Sequence, residues 1–342
     1  MSSMDGAARR ARYRGVIVGG AVGDALGAPV EFASRSSILT RYGPEGVTGF
    51  LPWINGCGVR LPRGSYTDDT QLTLATAVGL LRGLQGYRSS GVTDFAGAAR
   101  ERYVEWLALQ DVPSQERFPG STCLSALRSG QTGSVDVPIN DRKGSGGIMR
   151  VAPVGLAFEP GAAFENAMEI AALTHGHPSG YLAAGVFADL VAGVVRGVNL
   201  KAAVSDSREL LLCYDEYDET LEMLDLAVEL FVADADLDEA YELLGEGWMA
   251  EEALGIAVYS ALSFPEDFAE GVLSAVNITG DSDTTGSLTG ALLGASLGYD
   301  SIPGDWAREV EDARLLLEIA DDLFDGFVED EALPAEKYPP YL

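Results

Sequence analysis

The chain has 342 residues, 47% hydrophobic and 22% charged, a balance that excludes a wholly disordered protein. Acidic residues number 52 against 23 basic, a formal charge of -29, so most of the surface repels duplex nucleic acid and no nucleic-acid partner is expected. Three scattered cysteines, Cys57, Cys123 and Cys213, form no close pair, which fits a reducing compartment and no disulfide framework.

From the N-terminus, Arg9, Arg10, Arg12 and Arg14 precede a short Gly-rich apolar stretch interrupted by Asp24, which does not read as a secretory signal. Apolar spacings of three and four predict helices over 11–27, 70–85, 92–110, 121–129, 163–173, 179–197, 200–213, 218–232, 236–244, 249–262, 266–276, 284–298 and 305–325. Strand signals are scarce, and the irregular piece near 45–62 is the best place for one. Loops are expected at 28–66, 111–120, 133–153 and 277–283, where Pro and Gly gather. The longest apolar run, 180–195, contains Asp189 and is shorter than the ~20 residues of a membrane span. No repeat or low-complexity linker divides the chain. The expectation is a soluble cytoplasmic protein, monomeric, with one all-helical domain over residues 1–342.

Two predicted helices carry glycine at i, i+4: Gly19, Gly23 and Gly27 in the first, and Gly286, Gly290, Gly294 and Gly298 in the other. Each mid-helix glycine costs ~1 kcal/mol relative to alanine, so these rows imply a compensating close approach of two helix backbones. If the two helices pair antiparallel, Glu31 comes near Asp281 and Asp283. From Glu209 to Trp306 inclusive there are 23 acidic residues and no Lys or Arg. Solvated helix faces account for most of that run, and some of the acids could hold a cation.

Two clusters carry chemistry. Thr67-Asp68-Asp69-Thr70 and Asp281-Ser282-Asp283-Thr284-Thr285 each set two carboxylates and adjacent hydroxyls at a predicted helix start. Capping explains one Asp in each. Adjacent or alternate carboxylates repel unless a cation lies between them. With no Cys or His at hand, such oxygen ligands suit Mg²⁺, Mn²⁺ or Ca²⁺, and four carboxylates with two hydroxyls would suit a pair of ions ~3.5–4 Å apart. The only histidines, His175 and His177, share a loop beside Pro178, where either could meet a ligand or be structural. The loop Lys143-Gly144-Ser145-Gly146-Gly147-Ile148-Met149-Arg150 reads as a plain turn or as a row of N–H groups cradling a phosphate. It is neither a P-loop nor a dinucleotide fingerprint.

Taken in order, six pieces resemble the ADP-ribosylglycohydrolases: GGAVGDALGAPVEF (19–32), YTDDT (66–70), GSTCLSALRS (120–129), KGSGGIMRVAPVGL (143–156), LTHGHP (173–178) and AVNITGDSDTTGSLTG (275–290). They span residues 15 to about 303 and leave a C-terminal helix and tail over 304–342. The resemblance implies an all-α orthogonal bundle and a site for two divalent cations, Mg²⁺ or Mn²⁺. By position it implies Thr67, Asp68, Asp69, Asp281, Asp283 and Thr284 as metal ligands. It gives Glu31 and Asp283 catalytic roles. Gly144, Ser145, Gly146, Gly147, Ile148, Met149 and His175 become the substrate contacts. Many members read Asp-Thr-Asp where this chain has Asp281-Ser282-Asp283, yet both carboxylates are kept.

The implied activity is hydrolysis of the glycosidic bond between ADP-ribose and a modified acceptor, protein arginine first, on a protein or a small molecule. Serine, ester and nucleic-acid-end linkages come after it. The other classes are a protein that binds ADP-ribose or blocks a transferase without turnover, and a structural relative. The paired carboxylates argue against both, because a pure binder has no need of them.

Overall fold

The computed structural model describes residues 5–341. In chain order the elements are α1 (Gly6–Gly27), α2 (Arg35–Tyr42), β1 (Trp53–Ile54), β2 (Arg60–Leu61), α3 (Asp68–Ser90), α4 (Phe95–Leu109), α5 (Ser121–Arg128), α6 (Ala152–Ala157), α7 (Ala162–Ala172), α8 (Pro178–Val195), α9 (Leu200–Leu211), α10 (Asp218–Val232), α11 (Leu237–Leu244), α12 (Ala250–Ser263), α13 (Phe268–Val276), α14 (Ser282–Leu297), α15 (Gly304–Glu309) and α16 (Ala313–Phe327). The architecture is all-α, with one antiparallel hairpin of two-residue strands in the 45–62 region where a strand was expected.

Every predicted helix forms, but 305–325 is two helices, not one. Val310 turns extended and Asp312 takes a left-handed conformation at φ 53°. The break is useful elsewhere. Glu311 N–H donates to Gly64 O at 2.8 Å, and Tyr66 O–H donates to Asp312 Oδ2 at 2.9 Å. These bonds hold the strand-to-α3 segment, and periodicity along one helix carries no sign of them. One helix, α2, lies where a loop was expected; only Ile38 of it is buried, so it shows no apolar stripe. The six-residue α6 follows the glycine-rich loop and opens on Ala152-Pro153, with proline in its first turn.

The glycine rows do what their spacing implies. α1 and α14 run antiparallel. A Cβ built on Gly15, Gly19, Gly23 or Gly27 would lie 2.3, 2.4, 1.9 or 2.3 Å from a backbone oxygen of α14. Both helices are buried over most of their length. α8, α12 and α13 flank α14, and α16 lies against α1. α8 is itself buried in this core; its Asp189 accepts N–H from Gly161 and O–H from Ser207, both at 2.6 Å. An ionisable group in an apolar helix needs such partners. The antiparallel register carries the chain leaving α1 to the start of α14, and the site is built there.

Candidate active site

Three segments distant in sequence converge. Asp24, on α1 and wholly buried, accepts N–H from Thr67 at 2.8 Å and from Thr70 at 3.0 Å, and the Thr70 hydroxyl at 2.5 Å. It therefore docks the start of α3 on α1. Past α1, Phe32 N–H donates to Gly280 O at 3.1 Å and Gly280 N–H to Ala33 O at 3.3 Å, which straps Glu31 beside the start of α14. Oxygens of Glu31, Asp281 and Asp283 lie within 4.8 Å of one another.

Capping does not account for the acids. Thr67 Oγ1, not Asp68 or Asp69, caps α3 by accepting Asp69 N–H at 3.3 Å. Asp281 occupies the N-cap position of α14 but accepts no helix N–H; its Oδ2 accepts the Ser145 hydroxyl at 2.7 Å. Asp69 Oδ2 and Asp283 Oδ1 are buried with no hydrogen-bond partner. Burial, and then the charge of Asp283, pushes Asp68, Asp69 and Asp281 well above the usual carboxylate range. The same two causes push Glu31 up to about 12 and Asp24 to about 7, and burial raises Asp283. Among the described residues the one Lys or Arg lining the cavity is Arg128, which pairs with Asp111 at 3.8 Å. A set of buried carboxylates with orphaned oxygens and no protein cation among them fits a hard divalent ion.

The cavity above them measures about 600 Å³, in the range of small-molecule sites. Glu31, Asp68, Asp69, Asp281, Asp283 and Thr284 line it, as do Gly144, Ser145, Gly146, Met149 and His175. Three expected site residues do not reach its wall. Thr67 is buried beneath as the cap of α3, Ile148 is fully buried in the core, and Gly147 packs near Ala171 and Gly180. In each case a neighbour in the motif faces the cavity, and spacing alone does not tell neighbours apart in a tight turn.

The two histidines separate. His177 accepts Ser179 N–H at 3.2 Å as the N-cap of α8, a structural role. His175 is buried under the Gly144–Gly146 turn. The buried Arg150 donates to Thr174 Oγ1 at 2.5 Å, and Thr174 Oγ1 lies 2.9 Å from His175 Nδ1. With Thr174 giving its own proton to Nδ1, Nε2 is an N–H donor beneath the turn; with the opposite tautomer it is an acceptor. Burial, and next the Arg150 charge, lowers His175 to about 3, so the ring is neutral.

Several lining residues escaped sequence reasoning. Gly120, Ser121, Thr122 and Cys123, at the start of α5, face the cavity, as do Gln110, Glu116, Phe118 and Trp248. Asp24 had a signal, a carboxylate inside an apolar glycine-rich helix, that read only as an interruption of that helix.

A sequence profile of the ADP-ribosylglycohydrolase family matches residues 5–332. The chain belongs to that family of enzymes. Among curated ADP-ribosylglycohydrolase relatives it is similar to the ADP-ribosyl-[dinitrogen reductase] glycohydrolase of Rhodospirillum rubrum, 28% identical over 313 residues, which covers 90% of this chain and 93% of that one. It is also similar to the ADP-ribosylarginine hydrolase Tri1 of Serratia proteamaculans, 24% identical over 331 residues, covering 92% and 79%. A solved structure described as an ADP-ribosylglycohydrolase-related protein complex superposes with a TM-score of 0.69 at 28% identity, covering 92% of this chain and 98% of that one. The all-α fold and the family expected from the motifs are both found.

Proposed function

We propose that this ADP-ribosylglycohydrolase is a divalent-cation-dependent hydrolase that releases ADP-ribose from modified arginine. One observation carries the reading. The half-buried Glu31 and the buried carboxylates at 68–69 and 281–283 share one cavity with a glycine-rich turn and a neutral histidine, and among the described residues no Lys or Arg pairs with them. In this reading Asp68, Asp69, Asp281, Asp283 and Thr284 hold two cations, Mg²⁺ or Mn²⁺, with Thr67 behind them. Such ions supply charge that orients the ribose hydroxyls and lowers the pKa of bound water. Gly144, Gly146 and the start of α5 present backbone N–H groups to the diphosphate. His175 Nε2–H supports the turn or donates to a ligand oxygen.

The reaction breaks the bond from C1″ of the distal ribose to the guanidinium nitrogen. Positive charge spreads over C1″ and the ring oxygen as that bond lengthens, and the surrounding carboxylates stabilise it. Water adds at C1″ and gives its proton to Glu31 or Asp283. A protonated guanidinium leaves as neutral guanidine, so it needs no acid before departure, and it recovers its charge from the proton that water lost. The similarity to the ADP-ribosylarginine hydrolase Tri1 of Serratia proteamaculans supports the acceptor.

The test is release of free ADP-ribose from ADP-ribosyl-arginine by the purified chain with Mg²⁺ or Mn²⁺. Turnover should vanish with a chelator and return with either ion. Asp281→Asn should abolish it while the protein still melts cooperatively. Turnover unaffected by exhaustive chelation would defeat the cation half of the proposal.

A further inference from the structure

The rim of the cavity carries rings that the hydrolytic reading leaves without a task. Phe32 follows Glu31 directly and is 64% exposed, yet its backbone sits at φ 68°. Side chains other than Gly, Asn and Asp seldom take that conformation. The paired hydrogen bonds to Gly280 hold it there. Its ring stacks on Trp248, with centroids 5.1 Å apart and 19° between planes. Trp248 belongs to the opposite wall, since its carbonyl accepts Ser145 N–H at 2.9 Å. Phe118 repeats the pattern: φ is 59°, it is 38% exposed, and it meets Phe32 edge-on at 6.3 Å while stacking on the buried Trp53 at 5.7 Å.

Strained backbone persists where the surroundings over-determine it, and an exposed ring recovers little of that cost through burial. Two exposed phenylalanines held this way on one cavity rim point to a ligand-facing surface. Its chemistry is cation-seeking. Ring faces are electron-rich, and Glu31 and Glu116 line the same cavity. Glu116 Oε1 accepts Phe118 N–H at 2.9 Å, and its Oε2 is buried without a partner. An acceptor borne on a protein reaches the carboxylates from solvent, so the exposed group beside Glu31 is the one it meets. A planar guanidinium matches stacked rings flanked by carboxylates better than a neutral hydroxyl does.

Resting on the hydrolase reading above, we propose that Phe32, backed by Trp248 and Phe118, is the acceptor-selecting wall of this enzyme and favours a guanidinium leaving group over a hydroxyl. The experiment compares peptides of one sequence carrying ADP-ribose on arginine or on serine, using the full chain with Mg²⁺. Phe32→Gly removes the ring and relieves the left-handed backbone, so it tests the ring without inviting misfolding. The arginine-to-serine ratio of kcat/KM should fall about tenfold, mainly through KM for the arginine peptide. Phe32→Tyr should restore the ratio, and inhibition by free ADP-ribose should hold, since that ligand lacks an acceptor. An equal fall on both peptides, an unchanged ratio, or a wild-type preference for serine would each overturn the wall as a cation selector. ADP-ribose hydrolysis itself survives all three results and falls only if wild type releases ADP-ribose from neither peptide, whereas a wild-type preference for serine also overturns arginine as the acceptor.

Discussion

Gly23 and Gly286 touch backbone to backbone: a Cβ on Gly23 would stand 1.9 Å from the Gly286 carbonyl oxygen. The contact sits midway along the α1–α14 pair, whose register sets Glu31 beside Asp281 and Asp283. Neither partner atom belongs to a flexible side chain, so a methyl group there must push two core helices apart.

Gly23→Ala should therefore destabilise the fold by about 3 kcal/mol or more, at the severe end for overpacking. Gly20→Ala is the matched control one position from the stripe. Its Cβ would find its nearest neighbour at 3.5 Å, an ordinary contact, and it replaces a helical glycine worth ~1 kcal/mol. Thermal melts should show a large drop for Gly23→Ala and no drop for Gly20→Ala. Similar melts for the two would mean that the helices do not approach this closely.

The carboxylate cluster makes stability depend on pH in a recognisable direction. With cations chelated, Asp24 holds its proton to about 7 in the folded chain, and Asp68, Asp69 and Asp281 are also raised. The unfolded chain releases those protons near pH 4. Where the folded state binds more protons, stability falls as pH rises. This contribution is thus fully present below about 4 and is lost as pH climbs through about 7. An added cation takes over the role of the protons. The increase in Tm on adding Mg²⁺ or Mn²⁺ should be larger at pH 8 than at pH 5.5, a comparison in which ordinary surface carboxylates cancel. An equal increase at both pH values would contradict the account.

Ser145 is the hydrogen-bond donor that orients Asp281, through Oγ to Oδ2 at 2.7 Å. Loss of such a partner behind a metal ligand commonly weakens binding about 10–100-fold. Ser145→Ala should weaken cation binding by that order in a calorimetric titration and leave Tm in chelator nearly unchanged. Unaltered affinity would show that Asp281 needs no help from the glycine-rich turn.

His175 should add no step to the pH–rate profile between pH 5 and 8. Its ring is lowered to about 3, so it is neutral throughout that interval. His175→Asn should lower kcat/KM about tenfold, the worth of one hydrogen bond, and keep the shape of the profile. A wild-type inflection near 6.5 that disappears in the variant would assign the ring an ordinary pKa and an exposed setting.

Much of the site was legible because its chemistry is written in adjacent residues. Paired carboxylates at 68–69 and 281–283 cannot be explained by capping alone, and the glycine rows demand a close partner. The rest was hidden where a function depends on direction. Thr67 and Ile148 lie inside motifs yet do not line the cavity. Phe32, Phe118 and Trp248 are ordinary aromatics until the fold sets them on one rim.

Local spacing was enough to determine an all-helical chain, the two glycine-striped helices and the oxygen-rich clusters, since each is a property of residues within a turn or two of one another. Only the tertiary structure decided which carboxylates share a cavity, that Asp24 clamps α3 to α1, and that α15 and α16 part at Asp312. Those outcomes rest on contacts between residues tens to hundreds of positions apart, whose energies appear only once the chain has closed upon itself.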